Sequence, residues 1–522
     1  YGGTWTFTNA ATGNYTKSGS GTTRVYSIFN NSGAVSVQAG TLELNGGGSS
    51  AGTVAVSSGA TLALGGQNFA FGANATVTGA GTVQVYGATT TFAGSATNSA
   101  NFLFSGGNTT FSGTTATAGN VTLSGGAIGG TGTLTTAGPF NWSSGDLKDG
   151  GILNANGGGT WSSTSAKYLY SHALNLDGTT TWSAGPIYSG GGSTVTIKPG
   201  ATLTTNFDGY VHNNLGGTRA TFDNQGTLTK SAGTGSTTFD SAFTNSGTLN
   251  VVTGSVTLNG GGSSTGTVAV SSGATLALGG QNFAFGANAT VTGAGTVQVY
   301  GATTTFAGSA TNSANFLFSG GNTTFSGTTA TAGNVTLSGG AIGGTGTLTT
   351  AGPFNWSSGD LKDGGILNAN GGGTWSSTSA KYLYSHALNL DGTTTWSAGP
   401  IYSGGGSTVT IKPGATLTTN FDGYVHNNLG GTRATFDNQG TLTKSAGTGS
   451  TTFDSAFTNS GTINVVTGTL DLGGGGTHSG TVDVSSGATF ALTGGDHTFS
   501  SGAVINGAGS LRVSGGNTTF SG

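Results

Sequence analysis

The segment Gly52–Thr248 recurs residue for residue at Gly266–Thr462. The offset carries Trp142 to Trp356, Lys148 to Lys362 and His212 to His426. The tail from Leu472 to Gly522 aligns without a gap on Leu258–Gly308. The head, Tyr1 to Glu43, matches the region from Leu215 onward with a one-residue slip. The chain therefore divides into the end of a diverged unit (1–43), two full units (44–257 and 258–471) and the start of another (472–522). A long-period repeat implies an array of like elements, each buried against its neighbours, and one continuous solenoid is expected. Because it starts and stops within a unit, the chain is expected to be a piece of a longer or processed protein.

A shorter rhythm runs inside each unit. Strand-like runs begin near Thr53, Ala75, Asn101, Asn120, Pro139, Thr160, Thr180, Ala201, Thr227 and Thr248. Their mean spacing is about 21 residues, a coil length that suits a β-solenoid of roughly 24 coils. TVAVSSGATLAL (Thr53–Leu64) and TVQVYGATTTF (Thr82–Phe92) alternate β-branched or apolar residues with small polar ones, the period of a half-buried strand. No sustained helical periodicity appears. The expected fold is all-β, a parallel β-helix. Its 105 glycines, about three times ordinary usage, supply the corners.

Aromatic spacing agrees with that coil. Phe71, Phe92 and Phe111 fall one coil apart, as do Trp142, Trp161 and Trp182. Residues one coil apart lie about 4.8 Å from each other, so both sets are expected to form stacked ladders. Asn31, Asn224 and Asn245 recur at one place in F-x-N-x-G motifs and are expected to bond amide to amide between coils.

FTNSGTLNVVTGSVTLNGGG (Phe243–Gly262) and GTVAVSSGATLALGG (Gly266–Gly280) resemble the repeats of giant exported bacterial proteins, the autotransporter passengers and filamentous-haemagglutinin-like adhesins. The N-x-G-T-L and G-x-T-L-x-L turns carry the likeness, which covers essentially the whole chain. The resemblance implies a right-handed β-helix, extracellular or on a bacterial cell surface.

Composition narrows the function. Charged residues are 6% of the chain and the net charge is -3, with no basic stripe, so nucleic acid is not an expected partner. No apolar run has the length of a membrane-spanning helix, and no signal peptide is visible. Cysteine is absent, which excludes disulfides and thiolate metal sites.

Two groups of residues are candidates for chemistry. The turn Ser144–Gly150 holds Asp146, Lys148 and Asp149, repeated at Asp360, Lys362 and Asp363. Two carboxylates three apart suit a calcium ion or an acid/base pair, but the spacing matches neither an EF-hand nor a calcium nonapeptide repeat. A solvated turn carrying its own lysine is the simpler expectation, and no cofactor is expected. In Lys167–His172 the alternation places Tyr168, Tyr170 and His172 on one strand face, with Tyr382, Tyr384 and His386 in the second copy. Facing outward, they join Tyr188, Tyr210 and His212 in a shallow surface for glycans. Facing inward, they are core, and each hydroxyl needs a partner. The histidines lack further ligands at metal spacing.

The leading expectation is a non-catalytic structural segment of a fibre or adhesin stalk. Self-association through coil edges is the expected partner contact. A glycan-binding adhesin is the alternative. A carbohydrate-active β-helix enzyme is the least favoured reading, because one unit holds six Asp, five Lys or Arg and no Glu, spread over ten coils.

Overall fold

The computed structural model describes residues 5–94, 96–117, 119–307, 310–331 and 333–521. Among these residues every regular element is a β-strand and there is no helix. The chain forms two compact units, Tyr1–Gly260 and Gly261–Gly522. In each, parallel strands stack about 21 residues apart, turn upon turn, as a β-solenoid.

A turn is built from three short strands. In the first unit Ala173–Leu176, Thr179–Trp182 and Ile187–Gly190 form one turn. Thr194–Ile197, Thr202–Thr205 and Tyr210–Asn213 form the next. They pair in parallel register as Ala173↔Thr194, Thr179↔Thr202 and Ile187↔Val211. Strands of four residues, with alternate positions buried, send two side chains per strand into the core. Over part of each unit two strands fuse into one, as in Asn101–Phe111, Val121–Gly129 and Phe140–Leu147. Register shifts after Phe104 and Leu123 bend these long strands around the corner. Gly48 shows why a corner needs glycine: its φ is 134°, and a Cβ there would lie 2.0 Å from the Phe29 carbonyl oxygen.

Phe71, Phe92 and Phe111 stack as expected, with ring centroids 4.6 and 5.0 Å apart and planes within 11°. The second unit repeats this with Phe285, Phe306 and Phe325. The asparagine ladder is also present. Asn224 Nδ2 donates to Asn245 Oδ1 at 2.7 Å, and Asn9 donates to Asn31 in the same way. The tryptophan ladder differs from the expectation. Trp142, Trp161 and Trp182 are fully buried neighbours, but they meet edge to face, at 84° and 61°. The indole N–H groups explain part of this: Trp142 Nε1 donates to Gly145 O and Trp182 Nε1 to Gly185 O. Those bonds fix the tilt of Trp142 and Trp182 and remove their freedom to stack flat.

The repeat and the turn are out of phase. Phe29 and Phe243 are equivalent residues of the repeat. Strand pairing leads upward from Phe29 through Phe69–Phe71, Thr89–Phe92 and Asn101–Phe111. It continues through Val121–Gly129, Phe140–Leu147, Lys167–Tyr170 and Ile187–Gly190. After ten turns it reaches Ser236–Phe239, by way of Tyr210–Asn213. Phe243 lies on the following strand, in the column that pairs with Phe222. One repeat is thus ten turns plus one strand, and a motif's equivalent falls on the next face of the same unit. The second unit, taken by itself, shows the same slip. Phe285 and its equivalent Phe499 occupy different columns.

Candidate functional site

The outward positions of one face form a column across four turns of the first unit. Asp146 on Phe140–Leu147 pairs in register with Tyr168, Tyr168 with Tyr188, and Tyr188 with His212. Parallel pairing without a slip places these side chains directly above one another. The Tyr168 and Tyr188 rings stack at 5.4 Å and 23°, and Tyr188 and His212 at 5.6 Å and 17°. Tyr210 leans against both Tyr188 and His212. His212 Nδ1 donates to Asp240 Oδ2 at 2.7 Å, which anchors the imidazole at the end of the column.

A cleft opens where this column meets the Asp146 turn. Asp146, Lys148, Asp149, Tyr168, Tyr170 and Leu215 line it. The cleft measures about 370 Å³ in the first unit. Its counterpart in the second unit, with Asp360, Lys362, Asp363, Tyr382, Tyr384 and Leu429, measures about 490 Å³. Tyr168 is 39% exposed and Tyr170 41%. Burial pushes the Asp146 carboxyl above the ordinary carboxylate range, while the positive charge of Lys148 pulls it back. Asp149 takes a left-handed backbone, φ 66°, which an aspartate tolerates, and its carboxylate lies close over Gly129 of the preceding turn. Tyr170 lies over Gly191, where a Cβ would come within 2.8 Å of the ring. The glycine run at 190–192 is thus both a corner and the floor for Tyr170.

One expectation fails here. His172 does not share the face of Tyr168 and Tyr170. Ser171 has φ 50°, so the strand ends at Tyr170 and the alternation breaks. His172 turns inward, is 4% exposed and bonds through Nδ1 to Lys148 O at 3.0 Å. Burial lowers its proton affinity. His386 behaves identically in the second unit, bonding to Lys362 O. The outward imidazole of the site is His212.

The alternation also hides inward ammonium groups, Lys167 and Lys230 among them. Lys167 lies inside the solenoid at 0% exposure, between Gly145 and Ile187 in its column. Lys230 is equally buried, beside Thr205 and Val251 in its column. Their place in K-Y-L-Y and T-L-T-K, in phase with buried leucines, was the available signal.

Among the described residues, no group of three or more His, Asp or Glu is placed to hold a metal ion. Asp146 with Asp149, and Asp360 with Asp363, therefore bring no third such ligand to a calcium ion. Among the same residues no helix is long and apolar enough to cross a membrane. Comparison with family models, curated proteins and solved structures finds no match.

Proposed function

We propose that this chain is a structural segment of an extracellular or cell-surface β-solenoid fibre or adhesin stalk, non-catalytic in itself. The observation that supports this most is the continuity of the inward ladders. The Phe71, Phe92 and Phe111 rings stack turn on turn, as do the three equivalent rings of the second unit. A core of this kind is extended by adding turns, each buried on its neighbour, at similar gain per turn. A coat of Ser, Thr, Asn and Gly with few charges is insensitive to ionic strength, as a surface-exposed segment requires. Self-association through coil edges or flanks is the partner contact this reading favours. The test is immunogold electron microscopy of unpermeabilised native material, with antibody against this chain. Label along surface fibres is the expected result. Label confined to the cell interior, or to particles that are not fibrous, overturns the proposal.

A further inference from the structure

We propose that each unit carries a saccharide-binding cleft, formed by the Asp146–Asp149 turn and the ring of Tyr168 in the first and by Asp360–Asp363 and Tyr382 in the second. This stands whether or not the chain belongs to a fibre.

The column of rings is one-sided. Tyr188 covers one face of Tyr168. The register partner on the preceding turn is Asp146, which ends in a carboxylate and not a ring. The other face of Tyr168 is therefore left to the cleft, and Tyr170 and Leu215 add apolar surface beside it. Stacking is also what holds Tyr168 in place. A ring fixed by its neighbour loses little rotamer freedom when a ligand docks on it.

The rest of the lining is polar and mixed in character. Asp146 and Asp149 offer acceptor oxygens, Lys148 offers N–H donors and Tyr170 a phenol that does both. A pyranose has this complement: a flat C–H face for an aromatic ring, and a rim of hydroxyls that both donate and accept. The volumes, about 370 and 490 Å³, lie at the lower end of small-molecule sites. Two tyrosines with two carboxylates also suit a quaternary ammonium ion. Lys148 and Lys362, however, add a positive charge to each lining, which disfavours a cation. The neutral sugar ring is the better match.

The experiment is saturation-transfer NMR on the whole chain with methyl glycosides of glucose, galactose and N-acetylglucosamine, with lactose, cellobiose and maltose, and with choline as the cationic probe. At least one saccharide is expected to bind, with a dissociation constant in the millimolar range that a shallow site supports. Tyr168→Ala with Tyr382→Ala should weaken that saccharide by about tenfold or more through loss of the stacking face. Tyr168→Phe with Tyr382→Phe should stay within about threefold, because the ring remains. Tyr86→Ala with Tyr300→Ala, which removes exposed rings elsewhere, should change nothing. Circular dichroism and melting temperature identify any variant that fails to fold. Three results overturn the proposal: no saccharide of the panel binds, binding survives unchanged in the double alanine variant, or choline binds and the saccharides do not.

Discussion

Lys167 and Lys230 do the same unusual thing in different surroundings. Both point into the solenoid, and neither has accessible surface. Each ammonium makes three hydrogen bonds, the full number it can donate. Lys230 Nζ bonds to Asp208 Oδ1 at 2.6 Å, Ala232 O at 3.2 Å and Thr237 Oγ1 at 3.2 Å. Lys167 Nζ bonds only to carbonyls: Ser163 O at 3.1 Å, Ser165 O at 3.4 Å and Ala184 O at 3.0 Å. The difference is a single formal charge. Backbone dipoles from a tight loop can complete the geometry of a buried cation, but they do not replace its counter-ion. The consequence at Lys167 is that burial lowers its pKa to about 8. The second unit repeats the contrast, with Lys444 on Asp422 and Lys381 on three carbonyls.

The largest test of this contrast removes the paired lysine. Lys230→Ala with Lys444→Ala empties core volume and leaves Asp208 and Thr237 without their donor. A loss of about 3–5 kcal/mol per unit is expected, read from the midpoint of urea unfolding. The next test uses pH. The folded pKa of Lys167, about 8, lies below the ordinary lysine value of 10.5. Between those values the unfolded chain binds more protons, so stability should rise with pH across that window. The rise should be at most roughly 3 kcal/mol per lysine. Lys167→Met with Lys381→Met should flatten it, and a slope that persists in that variant would show that other groups produce it. The smallest effect belongs to the counter-ion alone. The Asp208 side chain is 39% exposed, so water takes over part of its work in Asp208→Ala with Asp422→Ala. A loss of roughly 1–3 kcal/mol is expected from the same denaturation curves. A loss as large as that of the lysine variants would mean that the counter-ion, and not the filled volume, keeps that stretch folded.

Much of this architecture was legible because a solenoid converts sequence distance into spatial contact. A period of one coil found the Phe71, Phe92 and Phe111 stack and the asparagine ladder without structural help. The same period joins Asp146 to Tyr168, which makes one site of the carboxylate turn and the tyrosine strand. The run starts misled in one respect. From Ala75 to Asn101 they slide from the first strand of a turn to the second, which concealed that a repeat exceeds ten turns by one strand. At His172 the alternation fails, because it holds only while the backbone stays extended, and nothing in the residue name of Ser171 announces a positive φ. Spacing gives the positions of the tryptophans, but it does not encode the indole hydrogen bonds that tilt Trp142 and Trp182.

The turn-to-turn register sets Tyr168 on Tyr188 and leaves its other face to the cleft beside Asp146. The chain has no native cysteine, so an introduced pair reports on it cleanly. In-register partners on adjacent parallel strands have Cα atoms about 4.8 Å apart, within the span a disulfide bridges, and a two-residue slip takes them beyond it. Tyr168→Cys with Tyr188→Cys should therefore close an intramolecular disulfide on mild oxidation, while Tyr170→Cys with Tyr188→Cys should remain two thiols. Closure of the second pair in preference to the first would contradict the register and the cleft that depends on it.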